Sequence, residues 1–164
     1  MPTKPGTSTK LRRGRKLTPT QRYATMSSIR STNTKPEQSV RRALSRLGVP
    51  YRTRTSNLPG RPDLIVPQGQ IAVMVHGCFW HQHSGCRLAR IPKSRPDYWP
   101  TKLQNNKVRD QRASRALRYL GWRVITIWEC QTFDSTTLAE GLRSKLANTL
   151  RVTRTKASTK KGAH

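Results

Sequence analysis

The chain has 164 residues, 33 of them Lys or Arg and 7 Asp or Glu, a formal charge of +26 with histidines neutral. That length suits one domain with tails, and 33 % hydrophobic content leaves part of the chain outside a packed core. No apolar run exceeds the five residues Ile71 to Val75, and the basic N-terminal stretch leads into no apolar segment, which excludes a transmembrane helix and argues against a secretory signal. The charge calls for a polyanionic partner, with nucleic acid the default and an anionic membrane surface the bland competitor.

Residues 1–19 read as a mobile basic tail, carrying Lys4, Lys10, Arg12, Arg13, Arg15 and Lys16 and no acid. Residues 151–164 read the same way, with Arg151, Arg154, Lys156, Lys160 and Lys161. Setting those eleven charges aside leaves 22 basic residues against seven acids, a net of +15, so the excess also belongs to the domain at 20–150. Within it, Thr34, Pro36 and Glu37 start a helix with a capping hydroxyl, a first-turn proline and an acid at the positive dipole end. Val40, Ala43, Leu44 and Leu47 give it an apolar face, and Gly48 stops it. Tyr51 to Thr55 reads as a strand. Leu58 to Pro62 is turn chemistry, and Asp63-Leu64-Ile65-Val66 opens a second, short strand. After the turn Pro67 to Gln70, Ile71 to Val75 is continuous and β-branched enough for a central strand. Residues 77–97 are irregular. A long helix is predicted from about Tyr98 to Leu120, burying Leu103, Ala113, Leu117 and Leu120, followed by a strand from Trp122 to Trp128. A last helix carries Leu138, Leu142 and Leu146. The order of helix, three strands, helix, strand and helix predicts an α/β fold, a mixed β-sheet flanked by helices.

All three cysteines and three of the four histidines fall between residues 76 and 130. An odd cysteine count without a secretion signal argues against a disulfide framework. Cys78, His83, Cys86 and Cys130 supply three sulfurs and an imidazole, a complete structural Zn²⁺ shell, although spacing alone allows His81 in place of His83. The bland alternative is three small buried side chains.

With so few acids, each position matters. Asp63 opens an apolar strand, where a carboxylate can hold Mg²⁺ for phosphodiester hydrolysis, and Glu37 is its candidate neighbour. The plain alternatives are a turn aspartate and a helix-start glutamate. Asp97 and Asp110 lie among basic residues of the long helix and read as solvated ion pairs. Glu129 reads as orienting the metal shell and Asp134 as a helix cap. His76 and His81 are candidates for moving protons near neutral pH. Phe79-Trp80 could stack on bases or wedge between them, or could belong to the core with Trp99, Trp122 and Trp128.

Five blocks occur in order: Thr34-Lys35-Pro36-Glu37; Leu58-Pro59-Gly60-Arg61-Pro62-Asp63; His76-Gly77-Cys78-Phe79-Trp80-His81; Tyr98-Trp99 with Asn106 and Arg109-Asp110; and Gly121-Trp122-Arg123-Val124 with Trp128-Glu129-Cys130. Together they resemble the very-short-patch-repair (Vsr) endonucleases, bacterial enzymes that nick DNA at T:G mismatches left by deamination of 5-methylcytosine. The resemblance implies a restriction-endonuclease-like core, catalytic residues Asp63, His76, His81 and Glu37, and Mg²⁺ on Asp63 and the main-chain carbonyl of Val75. It implies structural Zn²⁺ on Cys78, His83, Cys86 and Cys130, with Phe79 and Trp80 intercalating beside the mismatch and Met26 wedged from the other groove. Ser84-Gly85 lengthens the stretch between His83 and Cys86 relative to the family pattern, and Val75 replaces a threonine. The implied partner is double-stranded DNA with a T:G mismatch, with mismatch-repair proteins as candidate partners and no membrane. The implied setting is a monomer in the bacterial cytoplasm, associated with the nucleoid. Two rivals stand beside it: a Mg²⁺-dependent nickase without mismatch specificity, and a non-catalytic zinc-stabilised nucleic-acid binder.

Overall fold

The structure is a computed structural model that describes residues 32–53, 57–93 and 95–158, with side chains described as far as 147. The expected N-terminal tail and Met26 lie outside the described residues. The described residues all fall in one compact unit.

Three strands make one sheet in the order β1-β2-β3: β1 (Leu64–Val66), β2 (Ile71–His76) and β3 (Arg123–Trp128). β1 runs antiparallel to β2, with Leu64 opposite Val73, and β3 runs parallel to β2, with Ile71 opposite Arg123 and His76 opposite Trp128. The sheet is therefore mixed. Among the described residues, three α-helices accompany it: α1 (Lys35–Arg46), α2 (Tyr98–Tyr119) and α3 (Ser135–Ser158).

The side-chain period of two sorts the strands between two layers. Ile71 and Val73 of β2, with Ile125 and Ile127 of β3, pack with Val40, Ala43 and Leu44 of α1 and Leu138, Leu142 and Leu146 of α3. The alternate residues Ala72 and Met74 pack against Leu117 of α2, joined by Leu58, Trp122 and Val124. β2 is thus covered on both faces, which is why its sequence is an unbroken apolar run.

α1 begins where the sequence places it. Glu37 N–H donates to the Thr34 side chain at 3.4 Å, and the Glu37 carboxylate accepts from Thr34 N–H at 3.2 Å, a reciprocal capping box. Asp134 caps α3 through Thr137 N–H, donated to its Oδ1 at 2.7 Å.

Three expectations are corrected. The strand at 51–55 reduces to one bridge, in which Arg52 and Ile65 exchange N–H···O bonds of 2.9 Å; Tyr51 turns to the core instead, and residues 54–56 lie outside the described set. Leu120 is 52 % exposed; it is the C-cap residue at which α2 ends. Trp99 is buried, whereas Trp122 and Trp128 are only half-buried, at the margins of the sheet. α3 runs to Ser158, so residues 151–158 of the expected C-terminal tail are helical. Low apolar content does not by itself stop a helix already nucleated by packed turns.

Candidate active site and metal centre

β2 and β3 are parallel, so their C-terminal ends emerge together, and the antiparallel β1 starts at the same end of the sheet. Asp63 immediately precedes β1, His76 is the last residue of β2, and Glu129 follows β3. The register pairing His76 with Trp128 leaves Cys78 and Cys130 each two residues beyond the paired strands. Sheet topology alone gathers these positions.

Asp63 Oδ2 accepts a hydrogen bond of 2.6 Å from Val75 N–H. N–H and C=O of an extended residue point to the same strand edge, so the Val75 carbonyl is presented on the side where Asp63 lies. Burial raises the Asp63 carboxyl to about 6; the Val75 bond opposes this, and the nearby charge of Glu37 adds to it. Glu37 therefore lies within electrostatic reach of Asp63. Its carboxylate also accepts bonds from Asn33 N–H at 2.9 Å and Thr34 Oγ1 at 2.8 Å, so it is the helix cap as well.

His76 and His81 stack face to face, with ring centroids 3.9 Å apart and planes 9° from parallel. His81 Nδ1 lies 2.5 Å from Asp110 Oδ2, and both side chains are largely buried. Burial, and next the neighbouring His81, push the His76 imidazole down to about 4, which leaves it neutral near pH 7. Its Nε2 is buried and has no hydrogen-bond partner among the described residues. Donor atoms of His76, His81 and Asp110 lie within 4.8 Å of one another. Asp110 is thus no surface ion pair. Its Arg109 contact is a marginal 4.0 Å, and the helix turns it inward to His81.

Sequence reasoning had a signal for this and passed over it. Trp99, Leu103, Asn106, Asp110, Ala113 and Leu117 recur at alternating steps of four and three along α2, one face of the helix. Two polar residues within an apolar stripe mark a place where the stripe meets something polar. Asn106 is buried and donates from Nδ2 to the Trp80 carbonyl at 3.1 Å, holding the 77–83 loop.

Cys78, His83, Cys86 and Cys130 form the second cluster, with donor atoms within 4.8 Å of one another. Cys78 Sγ lies 3.6 Å and Cys130 Sγ 3.4 Å from His83 Nδ1. Around a tetrahedral Zn²⁺ with Zn–S bonds of about 2.3 Å and Zn–N bonds of about 2.0 Å, sulfur and nitrogen stand roughly 3.6 Å apart. The donor set and its spacing therefore fit zinc, and His83 rather than His81 is the imidazole of the cluster. Gly85, at φ 71°, lets the longer Ser84-Gly85 stretch turn back to Cys86. Glu129 Oε2 accepts from Cys78 N–H at 3.1 Å, which sets its carboxylate against the backbone of the cluster. Trp128 separates the two clusters: the His83 ring stacks on it at 4.2 Å, and His76 meets it edge-on at 5.5 Å.

Phe79 and Trp80 are both half-buried. They meet each other edge-on at 5.0 Å, and Phe79 meets the buried Trp99 at 5.2 Å. Neither is a full core residue, and neither stands free.

A mixed α/β chain with a carboxylate at a strand edge, a paired-histidine and aspartate group beside it, and a three-cysteine, one-histidine cluster fits the class of metal-assisted hydrolases. Residues 15–87 match the family model described as DNA mismatch endonuclease Vsr. The chain is 44 % identical over 131 residues to the type II nicking enzyme V.XorIIP of Xanthomonas oryzae pv. oryzae, covering 80 % of this chain and 96 % of that one. It is 38 % identical over 109 residues to the DNA mismatch endonuclease Vsr of Escherichia coli K12, covering 66 % and 69 % of the two chains. It is also 38 % identical over 115 residues to the type II nicking enzyme V.NmeAIP of Neisseria meningitidis serogroup A, covering 70 % and 81 %. The chain belongs to the Vsr endonuclease family.

Proposed function

We propose that this protein is a Mg²⁺-dependent, strand-specific DNA endonuclease that nicks double-stranded DNA 5′ to the thymine of T:G mispairs, such as 5-methylcytosine deamination leaves. The observation that carries the reading is the His76–His81–Asp110 group at the same sheet end as Asp63, whose carboxyl burial raises to about 6. A mixed sheet covered by helices on both faces agrees with a restriction-endonuclease-like core.

Asp63 and the Val75 carbonyl are the hard-oxygen donors that would hold Mg²⁺. When bound, the ion supplies charge neutralisation at the phosphate and a more acidic water. His81 donates its Nδ1–H to Asp110, which leaves Nε2 to take a proton from the attacking water. As the water oxygen bonds to phosphorus, the bond from phosphorus to the leaving oxygen breaks. Asp110 then stabilises the imidazolium formed on His81. The neutral ring of His76 lies flat against His81 and fixes its plane. Glu37 adds negative potential at Asp63, which favours a cation there. Cys78, His83, Cys86 and Cys130 would hold structural Zn²⁺ and so anchor the loop bearing His81, Phe79 and Trp80. Those two aromatics would enter the stack beside the mismatch, where a wobble pair opens more easily than a matched one. This role extends to Met26 by resemblance alone. The setting that follows is a cytoplasmic, nucleoid-associated monomer, with mismatch-repair proteins as candidate partners.

A second reading, a nickase without mismatch preference, draws support from the printed name of the relative with 44 % identity, a type II nicking enzyme. Nicking of labelled T:G, T:A and single-stranded substrates separates the two. The T:G duplex should be cut on the thymine strand, only with divalent metal, and Asp63→Ala should be inactive. Equal cutting of T:A sinks mismatch specificity, and equal activity of Asp63→Ala sinks the catalytic reading.

A further inference from the structure

The outward face of α1 plays no part in the site described above. Gln38, Arg41, Arg42, Ser45 and Arg46 lie on the side opposite the core stripe of Val40, Ala43 and Leu44, and with Tyr51 they line a groove of about 500 Å³. Both ion pairs among the described residues use Asp110, so no described carboxylate neutralises these three arginines. Instead Arg41 donates to the Asn33 side chain, and Arg42 Nη2 donates to Ser39 Oγ at 3.2 Å. Such neutral acceptors orient guanidinium groups without cancelling their charge.

We propose that this groove binds the phosphodiester backbone of DNA outside the cleaved step. The inference rests on the reading of the protein as DNA-binding. The position supports it: the same helix carries Glu37, which lies within electrostatic reach of Asp63. At about 1.5 Å per residue, Arg41 stands roughly 6 Å and Arg46 roughly 14 Å along the helix from Glu37. Guanidinium forks match phosphate oxygens bidentately, and the Gln38, Ser45 and Tyr51 side chains add neutral donors. An acidic peptide is the less fitting occupant, because apart from Tyr51 the lining offers no apolar anchor of the kind that dominates protein interfaces.

The test compares the full chain with Arg41→Gln/Arg42→Gln/Arg46→Gln, using anisotropy of a matched duplex across a salt series. Each lost phosphate contact should make the slope of log affinity against log salt shallower by about 0.9, so a total change of about two to three is expected. Affinity at low salt should fall on the order of tenfold or more. An unchanged slope overturns the inference. Selective loss of binding to a poly-glutamate peptide, with DNA binding intact, also overturns it in favour of a protein partner. Should the triple variant melt early, Arg42→Gln/Arg46→Gln, with both side chains exposed, keeps the comparison and should shift the slope by about two. Binding to matched DNA does not depend on nicking, so failure of the mismatch assay would leave this result standing.

Discussion

At Asp63, stability and the proposed metal-binding role oppose each other. A carboxyl held at about 6 rather than its ordinary 3.8 takes up its proton more readily folded than unfolded. Its buried charge therefore costs stability above pH 6, and the cost disappears as pH falls from 6 toward 4. At 1.36 kcal/mol per unit, the penalty is roughly 2–3 kcal/mol. Asp63→Asn, measured by denaturant unfolding without added magnesium, should thus gain on the order of 2 kcal/mol at pH 8 and little at pH 4.5, while losing nicking activity. A gain independent of pH would show that the buried charge is not its source. The His81–Asp110 pair at 2.5 Å gives a second residue-level prediction. Asp110→Asn should cut the nicking rate on the order of 10²- to 10⁴-fold with DNA affinity retained, because His81 loses the acceptor that fixes its tautomer. Asp110 was misread from sequence because its neighbours in the chain are basic, whereas its neighbour in space is a histidine 29 residues earlier.

Between elements, the decisive fit joins the loop before β1 to helix α2. Gly60 has φ 69°, and a Cβ added there would collide with the Cβ of Ala113, one turn beyond Asp110. This close approach fixes the spacing between the loop that ends in Asp63 and the helix that holds Asp110. Gly60→Ala should destabilise by roughly 1–3 kcal/mol through overpacking and the left-handed backbone, and Ala113→Gly in the same chain should restore part of the loss. Additive losses in the double variant, read by thermal melting, would rule out the contact as the cause. The elements themselves were largely legible. Thr34, Pro36 and Glu37 announced the helix start, and Ile71 to Val75 announced the central strand. Tyr51 to Thr55 was not legible, because β-rich composition cannot tell a strand from a segment that makes one bridge and turns its tyrosine to the core.

Across the molecule, a Cys₃His cluster connects the ends of β2 and β3 to the 77–86 loop. About one zinc per chain should be measured in the purified protein and close to none in Cys130→Ser, with a matching fall in melting temperature. A wild type free of zinc would end that assignment. A net charge of +26 held mostly by the domain predicts that affinity for matched DNA falls steeply with salt. That charge says only that a polyanion is held. The strand edge and the paired histidines give the reason it would be cut.

Sequence alone determined the mixed α/β class, the helix starts, the central strand, the three cysteines of one cluster and the candidacy of His76 and His81 for the other. These follow from local periodicity, capping chemistry and the scarcity of acids and thiols in a basic chain. Only the tertiary structure decided between His83 and His81 as the imidazole of the cysteine cluster, drew Asp110 to His81, and set the Val75 N–H on Asp63. Each is a contact between residues distant in sequence, fixed by strand register and helix rotation, and neither is written in the residues immediately around it.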